Sequence, residues 1–124
     1  MKPFIVLIPG MMCNKDVFSH QINVLEIFFN VIVAEFNEHR DIELGVKNLV
    51  SNLPSKFHLL GHSMGGIVAM EFVKQHSERV LSLVLLNTNP YEEKQEIKDR
   101  RNIILKELDA LDLISLMKSD YISR

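Results

Sequence analysis

Four short apolar runs rich in β-branched residues punctuate the chain: Phe4 to Ile8, Val31 to Phe36, Phe57 to Leu60 and Leu81 to Leu86. None alternates cleanly with polar residues, so each reads as a strand covered on both faces. Segments with helical spacing fill the intervals. Val17, Phe18, Ile22, Leu25 and Phe28 or Phe29 form one apolar face behind a capping Asn14 or Asp16. Val46, Leu49, Val50 and Leu53 form a second, with Asp41 as cap and Pro54 past the end. Ile67, Met70, Phe72 and Val73 form a third that reaches about His76. Strand–helix alternation over residues 4–87 predicts right-handed crossovers and an α/β fold on a parallel sheet of about four strands. Periodicity alone leaves the spatial order of those strands open.

The character changes after Asn87-Thr88-Asn89-Pro90. Residues 91–101 are rich in charge, and Ile104, Leu105, Leu108, Leu111 or Leu113, Ile114 and Met117 then recur at helical spacing. This tail reads as one or two amphipathic helices, its charge run a solvated face and not a binding surface. The expected organisation is a core over residues 1–90 and a helical segment over 91–124.

A chain of 124 residues has the length of one domain, and 47% hydrophobic residues supply a core. The formal net charge of −2 favours neither nucleic acid nor an anionic membrane as partner. One cysteine excludes an internal disulfide and fits a reducing compartment. The apolar run after Met1-Lys2 stops at Pro9-Gly10, shorter than the about 7–15 residues of a signal-peptide core, so it reads as a buried first strand. No stretch approaches the ~20 apolar residues of a membrane span. A cytoplasmic protein is expected.

The chemistry concentrates in Gly61-His62-Ser63-Met64-Gly65-Gly66, between the third apolar run and the third helical segment. In that setting a G-x-S-x-G sequence forms a sharp strand-to-helix turn that projects the serine hydroxyl above the sheet. Gly61 and Gly65 sit where a Cβ would collide with neighbouring backbone. The helix starting after Ser63 points free N–H groups and its positive dipole end at the same place. Attack on a carbonyl also needs donors where the oxyanion forms. The N–H of Met64 is one. Gly10, ending the first strand, lets its loop turn over the serine, and Met11 N–H is the expected second donor, with Met12 the alternative. A phosphate-binding reading fits worse: the glycines lack the G-x-G-x-x-G order and no Lys-Ser/Thr pair follows.

Three separated segments agree in order and spacing: Pro9-Gly10-Met11-Met12-Cys13-Asn14, the Gly61–Gly66 motif, and His76-Ser77-Glu78-Arg79-Val80 leading to Leu83-Val84-Leu85-Leu86-Asn87-Thr88. Together they resemble the α/β-hydrolase fold, more narrowly its small esterase-like members, over residues 3 to about 90. The resemblance implies the strand order 2-1-3-4, which brings residues 9–13 and Ser63 to the switch point where such sheets bind ligands. It implies Ser63 as the nucleophile toward a carboxylic ester or thioester, with no cofactor or metal. It makes the tail part of a lid. Met11, Met12, Met64 and Ile67 point to an apolar acyl or alcohol group.

The departure is in the rest of the triad. The family order is Ser…Asp/Glu…His, yet no histidine follows His76. Of the upstream histidines, His62 should point away from the serine and pack. His39, after the second strand, is the best substitute base, His20 and His76 fall on helices, and His58 reads as a buried, hydrogen-bonded core residue. Asp99, Asp109, Asp112 and Asp120 occupy helical tail positions unsuited to a triad acid, and Cys13 reads as a loop residue without a paired base. Two further expectations follow. One is a truncated or split product with little turnover, completed by a complementary fragment or self-associating through the 81–86 edge strand, which no fifth strand covers. The other is a binding module without catalysis.

Overall fold

The computed structural model describes residues 1–36 and 41–107, with single positions at 115 and 118 beyond them. The chain divides into two compact units, Met1–Pro90 and Tyr91–Arg124.

The first unit is built on a parallel sheet of β1 (Phe4–Ile8), β2 (Asn30–Val33), β3 (Phe57–His62) and β4 (Val80–Leu86). Their order is β2-β1-β3-β4, as the resemblance implies. A 3-10 turn at Lys15–Phe18 leads into α1 (Ser19–Leu25), followed by α2 (Ile42–Val50) and α3 (Met64–His76). Two of the capping expectations resolve cleanly. Asn14 caps the first helical segment, its side chain accepting from the Asp16 N–H at 2.9 Å. Asp41 caps α2 by accepting from the Leu44 N–H at 3.1 Å.

The central strands are covered on both sides, which is why they lack polar alternation. Val6, Ile8, Phe57 and Leu59 pack with Val46, Val68, Ala69 and Phe72 on one face. Ile5, Leu7 and Leu60 pack with Phe18 on the other, against the half-buried Ile22, Leu25 and Phe29. The register Leu7↔Leu60 and Val6↔Leu59 keeps each apolar set on its own side.

Arg79 closes the lower end of this unit. Its guanidinium donates to the carbonyls of Val50, Leu53 and Pro54 at 3.0, 2.6 and 2.5 Å. The same group lies over the rings of Phe57 and Phe72.

Several expectations need correction. The second strand stops at Val33. Ala34 donates one last bond to the Leu7 carbonyl at 2.9 Å, and Ala34 and Phe36 then leave the ladder while staying buried. A buried apolar residue at the end of a strand carries no mark of where pairing stops. The third strand runs on to His62, because Gly61 and His62 still pair with Leu85 and Leu86. The fourth strand is not covered on both faces: Leu81, Leu83, Val84, Leu85 and Leu86 are all exposed.

In the second unit the charge run spans the segment before α4 (Gln95–Glu107) and the first turns of that helix, and most of it is exposed. Lys98 pairs with Glu92 at 2.9 Å and Arg101 pairs with Glu93. Asp99 accepts from the Gln95 side chain at 2.7 Å, one helical turn away. His39, Asp109, Asp112, Asp120 and the apolar positions from Leu108 to Met117 lie outside the described residues.

Candidate active site

The turn from β3 to α3 holds Ser63 at φ 55° and ψ −120°, a region that residues with a Cβ rarely occupy. Such a conformation costs about 1–3 kcal/mol and persists only where surrounding contacts over-determine it. Those contacts are on both sides. The Ser63 N–H donates to the Leu86 carbonyl at the end of β4, 2.9 Å away, and the Ser63 carbonyl accepts from the Gly66 N–H at 2.9 Å. Ser63 itself is exposed.

Close backbone approach explains the flanking glycines. A Cβ on Gly61 would lie 2.6 Å from the Gly66 Cα and nearer still to the Gly65 carbonyl oxygen. A Cβ on Gly65 would lie 2.6 Å from the Pro9 carbonyl oxygen. The start of α3 is thereby pressed against the ends of β3 and β1.

Gly10 brings the first loop to the same spot. A Cβ there would meet the Ser63 Cβ at 3.2 Å and the His62 Nδ1 at 3.3 Å. The Cys13 N–H bonds back to the Gly10 carbonyl at 3.1 Å, closing a turn over Met11 and Met12 with Met12 at φ 60°. Met11 and Met12 are exposed, Met64 is half-buried, and Ile67 is exposed one turn into α3. Among the described residues the N–H groups of Met11 and Met64 donate no hydrogen bond.

The other candidates fall elsewhere. His62 packs edge-on against Phe18, with its Nε2 3.5 Å from the Asn87 amide nitrogen. His58 is half-buried, not buried, because it faces the open strand β4; its Nδ1 pairs with the Ser82 hydroxyl at 2.8 Å. His76 lies beside Phe72 and Glu78 at the far end of α3, and His20 is exposed on α1. Cys13 is a free thiol, partly exposed. Among the described residues no side chain hydrogen-bonds the Ser63 hydroxyl.

Three further contributors come from the end of β4 and the residues after it, where spacing alone assigns them no role. Leu86 supplies the carbonyl that holds Ser63, Asn87 (φ 50°) faces His62, and the Thr88 side chain fills the space beside Gly66. All three reach the turn only because β4 lies next to β3.

A model of the alpha/beta hydrolase fold family matches residues 50–113 of the chain. The chain belongs to that family. A pimeloyl-[acyl-carrier protein] methyl ester esterase of Vibrio atlanticus (strain LGP32) is 28% identical over 96 residues, covering 71% of this chain and 37% of that protein. Among solved structures, a marine microorganism esterase superposes with a TM-score of 0.69 at 22% identity, over 100% of this chain and 56% of that one. A thermophilic esterase from Thermogutta terrifontis gives a TM-score of 0.71 at 23% identity, over 85% and 45%. The chain thus spans little more than a third of the curated relative and about half of these solved hydrolases. Ser63 and the Gly10 loop lie just past the carboxyl ends of β3 and β1, and open parallel α/β sheets in general bind ligands at the carboxyl ends of their strands.

Proposed function

We propose that Ser63 is the nucleophile of an acyl transfer on a carboxylic ester or thioester. The observation that carries this reading is an exposed serine kept at φ 55° between β3 and α3, in contact with the Gly10 loop. The Ser63 oxygen attacks the acyl carbon while a base takes its proton. The C–O or C–S bond then breaks, the alcohol or thiol leaves with a proton, and water releases the acid from the acyl-serine. The N–H groups of Met11 and Met64 receive the oxyanion, helped by the positive end of α3. Gly10, Gly61 and Gly65 let the two loops approach closely enough for this. The exposed Met11, Met12 and Ile67 fit an apolar acyl or alcohol group.

In this reading the base and the acid that orients it are not among the described residues, and turnover is weak wherever they are not supplied. Loss of a triad histidine costs on the order of 10⁶ in kcat, leaving about 10³–10⁴ over water from oxyanion stabilisation and binding. A complementary polypeptide could supply both groups. A cytoplasmic location accompanies this reading, supported by the single cysteine; among the described residues no helix is long and apolar enough to cross a membrane. That no side chain among the described residues hydrogen-bonds the Ser63 hydroxyl favours a second reading, a module that binds esters without turning them over.

Fluorophosphonate labelling followed by intact mass separates the two. Stoichiometric labelling that disappears in Ser63→Ala is the result expected for an activated nucleophile. No labelling by a chain shown to be folded, either alone or after addition of a polypeptide carrying the missing groups, leaves only binding; labelling restored by that addition supports the nucleophile with its base supplied from elsewhere.

A further inference from the structure

His62 stands next to Ser63 at the end of β3, on the side of the sheet where Leu60 packs with Phe18. Its ring meets three other parts of the chain. Phe18 packs on it edge to face. Gly10 lies against it, with the His62 Nδ1 and the His62 carbonyl oxygen each 3.3 Å from where a Gly10 Cβ would be. The Asn87 amide lies 3.5 Å from its Nε2. Beside that contact the Leu86 carbonyl accepts from the Ser63 N–H at 2.9 Å, so residues 62–63 and 86–87 meet through side chain and backbone together. Asn87 sits at φ 50°, in the left-handed region where asparagine is enriched.

The two ring nitrogens differ. Nδ1 is buried and meets no hydrogen-bond partner among the described residues, whereas Nε2 has the Asn87 amide beside it. A proton on Nδ1 would be a buried N–H directed at Gly10 with nothing to receive it, which folded proteins avoid most strictly. A proton on Nε2 has a receiver. A half-turn of the Asn87 amide, whose two ends have the same shape, brings its Oδ1 to the place of the nitrogen.

We infer that His62 is a positioning residue: its Nε2 donates to the Asn87 Oδ1, and the ring so fixed sets how closely the Gly10 loop lies on Ser63. The contacts run from Asn87 through the ring to Gly10, and from Gly10 to the Ser63 Cβ, 3.2 Å from the place of a Gly10 Cβ. The catalytic meaning of this arrangement rests on Ser63 as the nucleophile and on the Met11 N–H as an oxyanion donor. Met11 follows Gly10, so a ring that turns or withdraws carries that donor with it. Removing an oxyanion donor outright costs about 10²–10³ in kcat, and displacing one costs a part of that.

Long-range proton–nitrogen NMR correlation of the His62 ring tests this, in the full chain and in its Asn87→Gly and Asn87→Asp variants. Glycine removes the amide without strain at positive φ, and aspartate keeps an acceptor but cannot donate. Expected are one tautomer, protonated on Nε2, in the wild type and in Asn87→Asp, and a mixture of tautomers in Asn87→Gly. The Cys13 N–H, bonded to the Gly10 carbonyl at 3.1 Å, reports on the loop. Its hydrogen exchange should quicken about tenfold or more in Asn87→Gly and return toward the wild-type rate in Asn87→Asp, while the β1 amides keep theirs. Fluorophosphonate labelling of Ser63 should slow about tenfold in Asn87→Gly. A wild-type ring protonated on Nδ1 overturns the inference. So does Cys13 exchange that is the same in all three chains, that is equally fast in both variants, or that quickens only together with the β1 amides. Labelling of Asn87→Gly at the wild-type rate overturns it as well. A wild type that is never labelled counts against the nucleophile instead, and the ring tautomer and the Cys13 amide then decide the positioning role by themselves.

Discussion

Gly65 lies so near the main chain of Ile8 that a Cβ would fall 2.7 Å from the Ile8 carbonyl carbon and closer to its oxygen. The obstacle is backbone in the central strand β1, which cannot swing away as a side chain can. Gly65→Ala therefore forces α3 off the sheet or distorts β1. A loss of about 3 kcal/mol or more is expected, at the severe end for single substitutions. Urea denaturation followed by circular dichroism measures it. A loss below about 1 kcal/mol would mean that the start of α3 is not clamped to β1.

Ser63→Gly should do the opposite. Glycine occupies positive φ without strain, so the 55° conformation no longer carries a penalty. The variant gains about 1 kcal/mol, less the extra freedom glycine has in the unfolded chain. The comparison to make is with Ser63→Ala, which keeps the Cβ and hence the strain. If the two unfold at the same denaturant concentration, the turn is not strained and one support for the proposed nucleophile is gone.

These substitutions mark the border between what is legible in the chain and what is not. The elbow is local: glycines two positions either side of Ser63, a strand before and a helix after, all within one stretch of residues. Strands β1 and β3 are legible for a similar reason, since burial on both faces leaves unbroken apolar runs. β4 has the same composition, yet its side chains are exposed, because cover is supplied by neighbours and not by the strand itself. The roles of Leu86, Asn87 and Thr88 depend on which strand lies beside β3. Strand order comes from long-range packing; the resemblance implies it, but the spacing of residues 86–88 assigns none of them a role at the turn.

The second unit offers a prediction in pH. Lys98 holds the Glu92 carboxyl below the usual carboxylate range, first by a hydrogen bond to it and then by its charge. A folded pKa lowered in this way contributes stability above the unfolded value of about 4.3 and loses it as pH falls through the folded one. The pairing of Glu92 with Lys98 is therefore present at neutral pH and weakens in acid, and at so exposed a position it contributes little to stability. In a carbon-detected NMR titration Glu92 should titrate below the other exposed glutamates, and Lys98→Ala should return it to their range. An unchanged midpoint in that variant assigns the shift to some other group.

Arg79 gives the sharpest test of the lower part of the core. Its guanidinium serves three carbonyls that follow α2 or end it, and it rests on Phe57 and Phe72, both fully buried. Hydrogen bonds from a charged donor contribute about 1.5–3 kcal/mol each, less where solvent reaches the group, and Arg79 is only half-buried. Arg79→Ala leaves the three acceptors unpaired and should cost about 2–4 kcal/mol. Arg79→Lys tests the geometry and not the charge. An ammonium keeps the cation over the rings but lacks the planar fork that reaches Val50 on one nitrogen and Leu53 and Pro54 on another. It should recover less than half of the loss in the same denaturation measurement. Full recovery by lysine would mean that the cation and the aromatic rings, not the carbonyls, fix the end of α2 against the sheet.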